Sequence, residues 1–295
     1  MGEGHTPNPP MVTVRRLRVT TVQTDASMDV PYITEMLDPP AVMSVLVHKV
    51  TAEARRSGLV EARSLLRDWL ANFLYGVVQS KKKTDIKGES GEEGGGEEGA
   101  GGALDAVLAK PWAWAMVQQV YGLLHSPLMH PTGGCPDSRA CLQAVLCSLD
   151  PRCLVIAIYP EMQGYASVNM RLSNQMALSR ESLTRGRPPC NIFVVDAFRR
   201  VVVHFADPNL PPPLPPTTAS QSPHSIFGNT GLGQFLQVRS KARPDSGEEV
   251  ILSQTGTPQE YFFEELLLDD HPLPDESHQT LDGFLEGLRH DVMEE

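Results

Sequence analysis

Between Ile192 and Phe205 the chain reads IFVVDAFRRVVVHF, two apolar runs separated only by Ala197 to Arg200. Strands that are apolar at nearly every position are buried ones. Two such runs at this spacing predict a β-hairpin inside a packed sheet. No side chain of the hairpin, nor of its polar lead-in from Leu178, makes a catalytic set. The feature therefore points to a scaffold or recognition domain rather than an enzyme.

The 295 residues suffice for two ordinary domains or one large one, and 24 Gly and 25 Pro dilute a hydrophobic content of 41%. A formal net charge of -11 disfavours nonspecific nucleic-acid binding, because phosphates are repelled. The cysteines are Cys135, Cys141, Cys147, Cys153 and Cys190, with no CxxC among them. The spacing fits neither a zinc site nor a small disulfide framework, and predicts reduced, buried cysteines of a cytosolic protein. No apolar run reaches the ~18 residues of a membrane span. The opening MGEGHTPNPP lacks the apolar core of a signal peptide, so a cytoplasmic location is expected. Gly2 and Thr6 fit a loose myristoylation pattern, but Glu3 lies within it and a polar tail is the competing reading.

Val12 to Val22 alternates apolar and polar residues and predicts a strand. One strand cannot stand alone, so it requires a partner. Helical patterns follow over Pro39–Arg56, Leu59–Gln79, Ala103–Ser126, Asp137–Leu149 and Arg152–Met162. Trp112 and Trp114 are two apart and cannot both face one core, which leaves one of them as a candidate contact residue or a half-exposed aromatic. Lys81 to Gly102 is low in complexity and reads as a flexible insertion. From about Val168 the pattern becomes mixed. The hairpin is followed by a Pro-rich loop over 208–222, a helix over Phe227–Ser240, a strand over Glu249–Ser253, and helices over Gln259–Leu268 and Gln279–Met293.

The sequence contains no phosphate-binding loop, dinucleotide fingerprint, HExxH or GxSxG. His125 and His130 flank a loop near Cys135 without the four converging ligands of a metal site. Glu264-Glu265 and Asp269-Asp270 read as a solvated helix end. The expectation is no catalytic residue, no cofactor and no metal. LPPPLPP fits either a polyproline ligand or an inert spacer. Arg15, Arg16 and Arg18 form a positive strip on the first predicted strand. Contact with anionic lipid headgroups or an acidic sorting signal is one reading of it; solubilisation of an edge strand is the other.

In order along the chain, RRLRVTTV, LVEARSLLRDWLANFLYGVV, QQVYGLLHSPLM, SRACLQAVLCSLDPRCLVIAIYPEMQGY, LSRESLTRG before the hairpin, and YFFEELLLDD before LDGFLEGLRHDV resemble the C-terminal part of the COPII cargo-adaptor subunit. This is the Sec24-like branch of the Sec23/Sec24 superfamily. The resemblance implies an α+β multidomain chain. Residues 1–27 would be a tail and the last strand of a β-sandwich, 28–167 an all-α helical domain with a disordered insertion at 81–102, and 168–295 an α+β gelsolin-like domain. The family's zinc-binding module, α/β trunk and most of its β-sandwich have no counterpart here, which fits either a divergent short paralogue or an incomplete gene model.

The resemblance implies a noncatalytic, cargo-adaptor-like coat component in transport from endoplasmic reticulum to Golgi, cytoplasmic and peripheral on the endoplasmic reticulum membrane and on COPII vesicles. The implied partners are the GTPase-activating sister coat subunit, cargo sorting signals or SNAREs, the anionic membrane surface and outer-coat subunits, with no nucleic acid. The sister subunit is the alternative. In that subunit an arginine before a short apolar strand stimulates GTP hydrolysis. Here EEVILSQ places Glu249 at the comparable position, and a carboxylate cannot stabilise charge on a transferred phosphoryl group. A stand-alone gelsolin-like interaction module is a further alternative.

Overall fold

The computed structural model describes residues 27, 29–88, 100–130, 136–169, 175–185, 190–209, 227–243, 249–271, 273 and 280–294. The predicted first strand with Arg15, Arg16 and Arg18, the Pro-rich segment from 210 to 222, and Cys135 lie outside the described residues.

The first half is helical: α1 (Val30–Glu35), α2 (Pro39–Arg56), α3 (Leu59–Gly88), α4 (Ala100–Leu108), α5 (Pro111–His125), α6 (Pro136–Leu146) and α7 (Pro151–Ile158). Proline opens several of them because its missing N–H is not needed at the first helical position. Asp150 caps α7 by accepting hydrogen bonds from the backbone N–H groups of Arg152 and Cys153, at 3.0 and 3.2 Å.

Several boundaries differ from the periodicity, among them the end of the helix expected over Gln259–Leu268, which stops at Glu264. The expected single helix from Ala103 to Ser126 is two, because Pro111 ends one and starts the next. The segment read as an insertion at 81–102 is helical through Gly88 and again from Ala100. Once α3 is nucleated, adding lysines to it costs little.

Met43, Val47 and Val50 of α2, Leu66, Leu70 and Leu74 of α3, and Val117, Val120, Tyr121 and Leu124 of α5 form one apolar cluster. Arg63 enters it and donates from NH1 to the Leu124 and Met129 carbonyls, at 2.9 and 3.0 Å. Gly122 lets α5 approach the end of α7, since a Cβ there would meet the Ile158 carbonyl oxygen at 2.6 Å.

The expected helix over Arg152–Met162 stops at Ile158, and a strand begins three residues on. Tyr159, preceding Pro160, is held extended (φ -129, ψ 103). The sheet comprises β1 (Glu161–Tyr165), β2 (Gln175–Met176), β3 (Ile192–Asp196), β4 (Arg200–Phe205) and β5 (Glu249–Gln254), in the order β2-β1-β3-β4-β5. β3 and β4 are the predicted antiparallel hairpin, with Val194 opposite Val203. β5 runs parallel to β4. A parallel neighbour needs a long crossover, and that connection contains α9 (Gly231–Ala242).

Both faces of the sheet are covered. Ile192, Val194, Val201, Val203 and Phe205 pack with Leu232 and Leu236 of α9. Phe193, Val195 and Val202 face the other way, toward Leu178, Phe263 and Leu267. Those residues belong to or adjoin α8 (Arg180–Arg185), α10 (Glu260–Glu264) and a 3-10 turn at Leu268–Asp270. The last helix, α11 (Leu281–Glu294), leaves the sheet and inserts Leu281, Phe284, Leu285 and Leu288 into the helical cluster.

Candidate functional site

The polar groups that organise the molecule lie at the hairpin tip, along the β4–β5 pair and at the junction between helices and sheet. At the tip, Asp196 is almost wholly buried with Arg239 of α9. Arg239 donates through Nε and NH2 to the two carboxylate oxygens. Its NH2 also donates to the Phe198 carbonyl at 2.8 Å. Arg243, one turn on, donates from NH1 to the same carboxylate at 3.0 and 3.1 Å. The Phe198 N–H is a further donor to Asp196 at 2.9 Å. Phe198 itself holds a left-handed φ of 64°. Burial pulls the Asp196 pKa upward, but the hydrogen bonds and charge of Arg239, with the charge of Arg243, outweigh it and the net direction is down.

On the opposite face His204 is buried and stacks on Phe263, with centroids 4.0 Å apart and planes at 4°. Its Nδ1 lies 3.0 Å from Ser253 Oγ and its Nε2 3.3 Å from Thr255 Oγ1. Burial pushes its pKa down to about 4, against a small opposing pull from Glu260. Glu249 opens β5 beside Arg200 of β4, with Oε2 at 3.5 Å from Nε. Arg200 also reaches Glu265 at 3.5 Å and covers the Phe262 ring at 5.2 Å.

At the junction, Tyr159 donates its hydroxyl to Asp269 Oδ1 at 2.6 Å and accepts from Gln118 Nε2 at 3.0 Å. Asp269 Oδ2 accepts the Leu178 N–H at 3.0 Å. Burial raises the pKa of both groups. Tyr121 donates to the His271 carbonyl at 2.7 Å. Asp269 is thus a cross-link between the helices and the sheet, which corrects the expectation of a solvated acidic pair. Its neighbours do face water: Asp270 accepts the Arg180 N–H and Glu264 accepts from the Arg180 guanidinium. An acid placed directly after the apolar Leu266–Leu268 run was the available signal for a polar group near the core.

His125 and His130 line one cavity of about 390 Å³ together with His271 and Arg200. Burial, then the nearby His271 and Arg63, push His125 down to about 4. Among the described residues no three His, Cys, Asp or Glu side chains gather as metal ligands. The described cysteines are free thiols, but Cys141 is exposed and the others half-buried, contrary to the expectation of buried cysteines. Among the described residues no helix is long and apolar enough to cross a membrane.

Geometry and chemistry thus define a mixed α+β scaffold, a helical bundle carrying a small sheet and held by buried polar pins. No family model matches the sequence. The chain is 32% identical over 214 residues to "Protein transport protein SEC23 D" of Arabidopsis thaliana, which covers 68% of this chain and 27% of that protein. The human COPII-coat protein Sec24c superposes with a TM-score of 0.57 at 12% identity, over 87% of this chain and 31% of that one. That likeness shows the fold alone, a helical part with a small sheet. The likeness to SEC23 D is one of sequence and that to Sec24c one of fold, and the chain spans well under half the length of either.

Proposed function

We propose that the chain is a noncatalytic component of the COPII coat, cargo-adaptor-like, acting in vesicle transport from endoplasmic reticulum to Golgi. The homology supports the coat assignment. Glu249 is the observation that carries the noncatalytic reading. It stands where the resemblance calls for an arginine, and it is engaged with Arg200. An anion there repels a developing phosphoryl charge. The chain would act by multivalency, adding weak contacts to the sister subunit, to cargo signals or SNAREs, to outer-coat subunits and to the membrane. Arg15, Arg16 and Arg18 are the proposed contact with anionic headgroups or acidic signals.

A second reading has its own support: the sequence relative is named for Sec23, which favours a Sec23-side subunit whose arginine has been replaced. Reconstitution on anionic liposomes with the coat GTPase separates the readings. The protein is expected to float with the liposomes and to leave phosphate release unchanged. Charge reversal at Arg15, Arg16 and Arg18 should reduce flotation. Acceleration of about tenfold or more by Glu249→Arg alone supports the Sec23-side reading; acceleration by the unaltered protein overturns the noncatalytic one.

A further inference from the structure

The long helix α2 has two contrasting faces. Met43, Leu46, Val47 and Val50 are buried in the helical cluster. Ala41, Val45, His48 and Ala52 are exposed on the opposite side, with Val45 57% exposed. Their spacing of four, three and four residues is that of a coiled-coil seam. Arg55 continues the same spacing, and at 1.5 Å per residue the seam runs about 20 Å along the helix.

Cations border this seam. Lys49 and Arg56 each follow a seam residue and are exposed, as is Arg55. Such flanking positions set partner choice in paired helices through opposite charge. Glu53, the only acid of α2, is taken by Arg56. No hydrogen bond or ion pair of the Lys49 or Arg55 side chain occurs among the described residues. The sign of this face runs against the rest of the chain, whose net charge is -11. The exposed positions of α3 include Glu61 and Asp68, and those of α11 include Asp282, Glu286 and Asp291.

The shape and charge of the face select among occupants. Interfacial helices bury Trp, Phe or Leu in a bilayer, whereas Ala41, Val45 and Ala52 offer little apolar bulk. A nucleic acid would meet the net charge of -11. An extended peptide pairs through its backbone with a sheet edge, and a helix flank has no free backbone groups to give it. A second helix needs what α2 supplies: a straight heptad seam, small enough for close approach, with charge along its border. We infer that the outward face of α2 docks an acidic amphipathic helix of a partner polypeptide, with its apolar residues on Ala41, Val45, His48 and Ala52 and its acids beside Lys49, Arg55 and Arg56.

The inference stands apart from the coat reading, and its test contains no coat component. The probe is an acetylated and amidated peptide of three LQALEQE heptads, titrated into the full chain while the Val45 methyl and the Ala41 and Ala52 amide resonances are followed by NMR. Saturable shifts centred on these residues are expected. The same peptide with lysine for every glutamate should bind at least about tenfold more weakly. A scrambled peptide of the same composition should bind at least about fivefold more weakly, because it has no apolar stripe. Lys49→Glu, Arg55→Glu and Arg56→Glu together should weaken binding about tenfold, and Val45→Glu alone about threefold. All four side chains are exposed, so the variants spare the core. Absence of saturable shifts, shifts that map elsewhere, equal binding of the lysine or scrambled peptide, or unaltered binding by the variants would each overturn the assignment. Flotation on phosphatidylserine vesicles that is abolished by the triple variant would also overturn it, in favour of a bilayer as the occupant.

Discussion

The helical part and the sheet part of this chain are stabilised in different ways. The helices share one large apolar cluster, to which α2, α3, α4, α5, α7 and α11 all contribute. The sheet divides its apolar residues into two thin clusters, one per face. Each thin layer is supplemented by a buried polar pin: Asp196 with Arg239 and Arg243 on the α9 side, His204 with Ser253 and Thr255 on the other. A thick core tolerates loss of a side chain by partial collapse. A charged pin does not, because each partner left behind is an uncompensated buried group.

The largest effect expected from breaking this contrast is at Asp196. Asp196→Ala leaves Arg239 buried without its carboxylate and releases the Phe198 turn, which should cost about 3–5 kcal/mol. Leu70→Ala in the helical cluster should cost about 2–5 kcal/mol. The decisive comparison is rescue. Asp196→Leu combined with Arg239→Met should recover part of the loss in urea unfolding, since Arg243 and the Phe198 N–H still lack their acceptor, whereas no second change near Leu70 restores its cavity by removing charge. Failure of the double variant to recover stability would mean that the pin does more than neutralise itself.

A smaller effect is expected from pH. His204 in the sheet and His125 at the junction are both held near 4, below the ordinary 6.5 of histidine. Between those values the unfolded chain binds protons that the folded chain refuses. Stability should therefore fall as pH drops from about 6.5 toward 4, by about 3 kcal/mol at most for each histidine, and level off below that window. Asp196, held below the ordinary carboxylate value, acts further down: its contribution is present above that value and is lost as pH falls through its lower folded pKa. Asp269, raised by burial, opposes this by favouring the protonated form. His204→Gln should flatten the decline measured by urea unfolding at pH 7 and pH 4.5. An unchanged slope would show that His204 titrates normally in the folded protein.

Local pattern made the hairpin and α2 legible. IFVVD and VVVHF carry their own burial in sequence, and Pro39–Arg56 matched its apolar spacing and proline start. β1 was hidden because RCLVIAIYPEM continues a helical pattern until Pro160 interrupts it. The pins were hidden for another reason. Asp196 and Arg239 are 43 residues apart, and Tyr159 and Asp269 are 110 apart. No periodicity connects such positions; only the crossover and the return of the chain to the helices bring them together. The arginine strip at Arg15, Arg16 and Arg18 lies outside the described residues, so its two readings, contact surface and edge-strand solubilisation, both rest on sequence.

The smallest effect belongs to the charged contact between α11 and α4. Arg289 donates from Nε and NH2 to Asp105 Oδ1 at 3.2 and 3.0 Å, with the two side chains 42% and 59% exposed. Exposed pairs gain little because water competes and two long side chains must be ordered. α11 is held instead by Phe284, Leu285 and Leu288 in the apolar cluster, with Phe284 against Tyr121 at 5.5 Å. A double-mutant cycle with Asp105→Asn and Arg289→Gln should give a coupling below about 1 kcal/mol, reduced further in 1 M salt. The same cycle on Asp196 and Arg239 should give several times more and resist salt. If the surface pair matched the buried one, burial would not be what separates the two halves, and α11 would depend on charge as the hairpin tip does.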